Sequence, residues 1–253
     1  SRRFNNARLW NSKKKKTKKK TTIKEDFVKL EEAEKEHLLQ KAFKNHQEGK
    51  ISVAEKYYQI FIDKGFKDQK VFISYGKVLE QKGQYKKAIE IWEKSIKIFP
   101  ESYQAFYCLG NLLLDIDELD KAENYILNAI ELFPNLSEAY YTLGRILTKK
   151  DNFKEAENSF RKAIKIEPLF VGSYINLGNT LQKLGKLKQA EKSIRKAIEI
   201  KPDLALAYLN LGNVLNEIGD TNEAEKSIRK AIEIQPDFAA AYSNLGLMFI
   251  EFG

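Results

Sequence analysis

Apolar residues recur along most of this chain at steps of three and four positions, the spacing of one face of an α-helix. In residues 205–238 the pattern predicts two helices separated by Gly219 and Asp220. The apolar face of the first helix consists of Tyr208, Leu211, Leu215 and Ile218. That of the second consists of Ala224, Ile228, Ala231 and Ile232. Pro236 cannot continue a helix, so the segment is predicted to form a helical hairpin.

The hairpin pattern returns every 34 residues. Residues 171–204 and 205–238 are identical at 20 of 34 positions. A glycine follows the same step in the first helices, at Gly76, Gly110, Gly144, Gly178, Gly212 and Gly246. A proline recurs with the same 34-residue spacing between hairpins, at Pro100, Pro134, Pro168, Pro202 and Pro236. Repeats of this length bury their apolar faces against their neighbours, so we expect an all-α fold: an α-solenoid of stacked antiparallel helix pairs.

The repeat frame sets the expected domain boundaries. Regular repeats occupy residues 69–102, 103–136, 137–170, 171–204 and 205–238. A degenerate repeat precedes them at 35–68, and a half repeat follows at 239–253. We expect a lead-in helix at 22–34, beginning with a Thr22–Glu25 capping box and covering the open end of the array with Ile23, Phe27 and Leu30. Residues 1–21 are expected to form a basic disordered tail.

The net charge of +9 is concentrated at one end of the chain. Residues 1–24 contain 11 Lys and Arg and no acidic residue, which leaves 33 basic and 35 acidic side chains in the remainder. The array is therefore almost neutral. The lysine tract from Lys13 to Lys20 is most simply explained as a solvated tail with no binding role. The alternative is a weak contact with an anionic membrane or with nucleic acid.

The small residues in each hairpin indicate where its two helices approach each other. Gly212 in the first helix and Ala224 in the second leave room for close contact. Leucine at Gly178 or Gly212 is therefore expected to overpack the hairpin and to cost about 1–3 kcal/mol.

These residues resemble the tetratricopeptide repeat (TPR). The signature consists of Tyr208, Leu211, Gly212 and Leu215, then Ala224, Ile228 and Ala231, then Pro236. The match covers about 35–253. The resemblance implies helix pairs stacked into a right-handed superhelix, with each first helix lining a concave groove. It also extends to the asparagine-rich repeats of O-linked N-acetylglucosamine transferases.

Asparagines flank the repeated Leu-Gly pair and form the candidate site. They are Asn176, Asn210 and Asn244 before the pair, and Asn111, Asn179 and Asn213 after it. An amide both donates and accepts hydrogen bonds, so a row of amides is suited to holding an extended peptide backbone. The alternative is that these residues hydrogen-bond within the array. The family's carboxylate clamp is not expected, because the positions two before each Leu-Gly pair carry no basic residue.

No catalytic, cofactor-binding or metal-ligating motif is found in the sequence. His37 and His46 lack nearby ligands at metal-site spacing, and the single Cys108 lacks an evident activating base. There is neither a signal peptide nor an apolar run of membrane-spanning length, so a cytoplasmic location is expected. We expect a chain that is not itself an enzyme.

Two functions remain open from the sequence. The first is a protein–protein interaction scaffold that binds an extended peptide segment in the concave groove. The alternative is the non-catalytic substrate-recognition region of a longer glycosyltransferase, sulfotransferase or methyltransferase truncated at Gly253, since the last helix has no following helix to cover it. That uncapped C-terminal helix also suggests self-association.

Overall fold

The computed structural model describes residues 28–252, with side chains described for residues 28–250. The expected basic tail (1–21), its lysine tract and the capping box at Thr22 lie outside this range. The described residues divide into two compact units, the first ending at Phe99 and the second beginning at Pro100. Every regular element described in either unit is a helix, which confirms the all-α prediction.

The first unit contains four described helices. Helix α1 covers residues 28–47. The others are α2 (Ile51–Asp63), α3 (Gln69–Gln81) and α4 (Tyr85–Ile98). The expected boundary between a lead-in helix and the first repeat, at residue 34, does not correspond to a break in α1. Leu30 is 73% exposed and does not cover the array. The buried apolar residues of α1 lie nearer its C-terminal end, at Leu38 and Ala42.

The second unit contains nine described helices. They are α5 (Tyr103–Asp115), α6 (Leu119–Leu132), α7 (Ser137–Lys149), α8 (Phe153–Ile166), α9 (Val171–Lys183), α10 (Leu187–Ile200), α11 (Ala205–Ile218), α12 (Thr221–Ile234) and α13 (Ala239–Phe252). Consecutive pairs from α5/α6 to α11/α12 form hairpins, and each second helix also packs against the next first helix. Adjacent first helices touch as well. This arrangement confirms stacked helix pairs within the unit.

The hairpin predicted at residues 205–238 shows how the sequence determines these bounds. Helix α11 ends at Ile218 because Gly219 adopts a left-handed conformation, and the Asp220 side chain accepts a hydrogen bond from the Glu223 backbone at the start of α12. On α12, Ala224, Ile228 and Ala231 are buried, as the apolar pattern predicted. The exposed face of α12 carries an ion pair between Arg229 and Glu225 at 2.8 Å.

Candidate functional site

The six predicted asparagines all lie on first helices of the second unit. Asn111 is on α5, Asn176 and Asn179 are on α9, Asn210 and Asn213 are on α11, and Asn244 is on α13. All six are half-buried. Neighbouring first helices are in contact, so some of these asparagines can reach side chains of an adjacent first helix.

Two hydrogen bonds join adjacent first helices at equivalent positions. Asn244 Nδ2 donates to Asn213 Oδ1 at 2.6 Å, linking α13 to α11. Thr142 Oγ1 donates to Asn111 Oδ1 at 2.9 Å, linking α7 to α5. Both pairs are separated by 31 residues. The asparagine rows are therefore used in part within the array, as the alternative interpretation of the sequence anticipated.

Asn176 has different partners. Its Nδ2 donates to the Gly172 carbonyl oxygen at 2.9 Å and to the Tyr141 hydroxyl at 3.3 Å. In the preceding repeat, Arg145 occupies the place of an acceptor asparagine, and its guanidinium lies over the Tyr141 ring at 5.9 Å. Without an amide acceptor on α7, the Asn176 side chain bonds to its own helix and to the tyrosine.

Asn179 and Asn210 make no side-chain hydrogen bond to any residue that the structure describes. Asn210 Nδ2 is buried and unpaired, whereas neither polar atom of Asn179 is buried. Asn216 Oδ1, one turn beyond Asn213, is also buried and unpaired. Asn213, Asn216 and Asn244 together line a cavity of about 140 Å³ between α11 and α13. An unpaired buried amide destabilises the fold unless a ligand or water completes its hydrogen bonds.

Polar residues that the sequence interpretation overlooked extend the same surface. Thr142 occupies the repeat position of Asn176, and Tyr107 lies one turn before Asn111 on α5. Burial raises the pKa of the Tyr107 phenol, and hydrogen bonding with Asn111 and Thr142 opposes this rise. The phenol is therefore protonated at neutral pH and can donate. Aligning all repeats, instead of the asparagines alone, could have identified Thr142.

The remaining candidates for chemistry show ordinary structural contacts. His46 Nδ1 lies 2.9 Å from the Tyr58 hydroxyl. Cys108 is buried. Within residues 28–250 there is no group of three or more His, Cys, Asp or Glu side chains placed to hold a metal ion. None of the described helices is both long enough and apolar enough to cross a membrane.

Comparison with known families identifies the repeats. The tetratricopeptide repeat models match residues 137–168 and 171–237. A model of anaphase-promoting complex (cyclosome) subunit 3 matches residues 44–129. No curated protein matches significantly.

Solved structures with the same fold include crystal structures of three kinds of protein. MamA is 27% identical, with a TM-score of 0.61 over 65% of this chain and 96% of its own. YrrB, a TPR protein with an unusual peptide-binding site, is 21% identical, with a TM-score of 0.63 over 74% of this chain and 96% of its own. The APC/C hetero-tetramer Cut9–Hcn1 is 18% identical, with a TM-score of 0.69 over 83% of this chain and 42% of its own.

The matched models, the 34-residue hairpins and the structural neighbours agree on one family. The narrower resemblance to O-linked N-acetylglucosamine transferase repeats stays a prediction. This chain is a tetratricopeptide repeat protein.

Proposed function

We propose that this protein is an interaction scaffold that holds an extended peptide segment along the first helices α9, α11 and α13. The tetratricopeptide fold supports protein–protein interaction in general. The groove, the peptide ligand and a cytoplasmic location are parts of the proposal. No catalytic step is assigned to the described residues.

One observation supports the proposal above the others: the inter-helix hydrogen bond between Asn244 and Asn213 uses only part of each amide. Asn213 accepts through Oδ1, so its Nδ2 group still has two donors. Asn244 donates through Nδ2, so its Oδ1 still accepts. These unpaired atoms are not buried. A donor and an acceptor, held in place by the bond between the two amides, match the carbonyl and N–H groups of an extended backbone.

Asn179 adds a third amide whose donor and acceptor atoms are both accessible. The YrrB likeness is compatible with this use of the surface, because that protein has the same fold and a peptide-binding site. Recognition through backbone groups would be tolerant of the peptide's side chains. We therefore expect the protein to bind peptides of many different sequences, with an affinity that depends on the peptide's backbone N–H groups.

The test is to select peptides that bind the full chain from a random display library and to measure their affinity by fluorescence anisotropy. The variant Asn179→Ala/Asn213→Ala/Asn244→Ala is expected to weaken binding at least about tenfold, since each lost hydrogen bond contributes about 0.5–1.5 kcal/mol. The control is Asn124→Ala/Asn128→Ala/Asn158→Ala, which changes three exposed asparagines on the second helices α6 and α8.

Two results would contradict the proposal. One is an unchanged affinity in the groove variant while circular dichroism shows the fold intact. The other is full binding of a peptide whose backbone N–H groups are methylated, because methylation removes the donors that the amides would recognise.

A further inference from the structure

A second concave surface lies between the second helices α8 and α10, on the side of α9 that faces them. It is a cavity of about 870 Å³. Its apolar part is formed by Ile164 of α8 and by Tyr174, Leu177 and Leu181 of α9. The three α9 residues are spaced at i, i+3 and i+7, so they share one face of that helix. Asn176 and Asn179 are not part of this lining.

The rim of this cavity is basic. Arg161 and Lys165 extend from α8, and Lys192 and Lys196 extend from α10, against a single acidic residue, Glu199. Arg161 is paired with Glu157 at 2.9 Å and Lys196 with Glu199 at 2.7 Å. Within the described part of the chain, Lys165 and Lys192 have no acidic partner within 4.0 Å. Two exposed cations are thus available to a ligand.

The basic lining continues across α8. A neighbouring cavity of about 590 Å³ also includes Lys165 and adds Lys162, whose Nζ lies 5.3 Å from the centre of the Tyr140 ring. No acidic residue lines this second cavity. Because the two cavities share Lys165, the surface is elongated over α8 and does not enclose a compact ligand.

The equivalent positions of the next repeat are electrically balanced. Thirty-four residues later, between α10 and α12, the corresponding ionisable residues are Arg195, Glu199, Glu223, Lys226, Lys230 and Glu233. Three are basic and three are acidic. Lys165 is replaced by Glu199, and the neutral Gln189 by Glu223. The excess of positive charge between α8 and α10 is therefore not a general property of the repeat.

We propose that the α8–α10 surface docks an acidic protein segment that carries apolar side chains, at a site distinct from the asparagine groove. The charge of the rim favours acidic residues, and the recessed apolar floor accepts an inserted aliphatic side chain. A membrane would need apolar groups that project from the surface instead of lining a recess. Single-stranded nucleic acid would need a row of accessible stacking platforms. The larger cavity has one aromatic residue, Tyr174, and in the neighbouring cavity Lys162 already lies over the ring of Tyr140.

The experiment uses the full chain and a fluorescein-labelled peptide of about twelve residues, composed of Glu and Asp with three spaced leucines. The peptide is expected to bind, and its affinity should fall as the salt concentration rises. The variant Lys192→Gln/Lys196→Gln should reduce its affinity at least about threefold. The matched control, Lys226→Gln/Lys230→Gln, removes two lysines at the same repeat positions and should leave the affinity unchanged.

A second peptide, with the leucines replaced by serine, is expected to lose most of the binding. A peptide selected for the asparagine groove should bind the lysine variant normally and should not compete with the acidic peptide, so the two proposals can fail separately.

The docking proposal is overturned if the acidic peptide does not bind, if both lysine variants lose affinity equally, or if the serine peptide binds as tightly as the leucine peptide. It is also overturned if single-stranded DNA or phosphatidylserine vesicles bind with the same dependence on Lys192 and Lys196.

Discussion

At the scale of single residues, the glycine of each first helix marks where the two helices of a hairpin touch. A Cβ atom added to Gly178 would lie 2.4 Å from Ile194 Cγ1, and one added to Gly212 would lie 2.5 Å from Ile228 Cγ1. Both isoleucines are buried. The clash involves atoms near the isoleucine backbone in a packed core, so it cannot be relieved by a simple side-chain rotation. Even alanine is too large at these positions.

The glycine series therefore provides a prediction with a matched control. Gly178→Ala is expected to destabilise the protein by about 1–3 kcal/mol through overpacking. Gly246→Ala is expected to stabilise it by about 0.5–1 kcal/mol, because no described atom lies within 4 Å of the new Cβ and alanine favours the helix. Urea denaturation would measure both. Equal effects of the two substitutions would contradict the proposed contact.

The asparagines show how far single residues could be interpreted from the sequence. Their recurrence placed them on first helices, and the structure finds all six there. The sequence did not indicate that Asn244 bonds to Asn213 or that Asn210 Nδ2 is buried. Those properties depend on the distance and rotation between neighbouring hairpins. Periodicity within one helix carries no information on either quantity.

At the scale of the helix, one turn residue with positive φ joins the two helices of each hairpin. These residues recur at the same 34-residue step: Gly49, Gly83, Asp117, Asp151, Gly185 and Gly219. Glycine adopts this conformation without a steric cost, and aspartate is among the residues that tolerate it. The sequence identified Gly219 as a helix break, whereas Asp117 and Asp151 have the polar character of ordinary surface residues. Their common role becomes evident from the backbone.

This turn position predicts a graded response to substitution. Gly185→Val should cost about 1–2 kcal/mol, because a β-branched residue is strained at φ 70°. Gly185→Asp should cost less, since aspartate already occupies the position in two other hairpins. No described atom lies within 4 Å of a Cβ at Gly185, so packing does not contribute. The measurement is the urea midpoint of each variant, and equal midpoints would argue against backbone strain.

At the scale of the whole molecule, the second unit is held together by contacts between successive hairpins. Ion pairs supplement the apolar packing at several of these junctions. Lys150 bonds to Glu123 at 2.7 Å, from one hairpin to the preceding one. Lys186, just before α10, bonds to Glu157 of α8 at 2.7 Å, and Arg161 bonds to the same carboxylate. Burial acts to raise the pKa of Glu157, but hydrogen bonds from Lys186 and Arg161 outweigh it, and the pKa lies below its ordinary value.

Glu157→Gln is therefore expected to destabilise the unit by about 1–2 kcal/mol at neutral pH, since the carboxylate is largely buried. A lowered folded-state pKa means that the stabilisation is complete above the unfolded value, about 4.3, and is lost as pH falls through the folded value. The difference between wild type and variant should thus shrink below about pH 4. Thermal unfolding at several pH values would measure it.

Glu191→Gln is the control for this prediction. Glu191 occupies the same repeat position, but its partners Arg195 and Lys188 belong to its own helix. Its loss should cost less than about 0.5 kcal/mol. A cost as large as that of Glu157→Gln would show that the link between hairpins contributes nothing beyond the pair within one helix.

The nearest-neighbour contacts of residues 100–253 also determine how this unit responds to mechanical load. Among the described helices of this unit, each hairpin packs against the hairpins beside it, so tension applied across the unit can detach one hairpin while the others remain folded. Each detachment would release about 12 nm of contour length, the extended span of one repeat. In an optical trap the extension of the unit should therefore increase in several small, reversible steps and not in one large unfolding event.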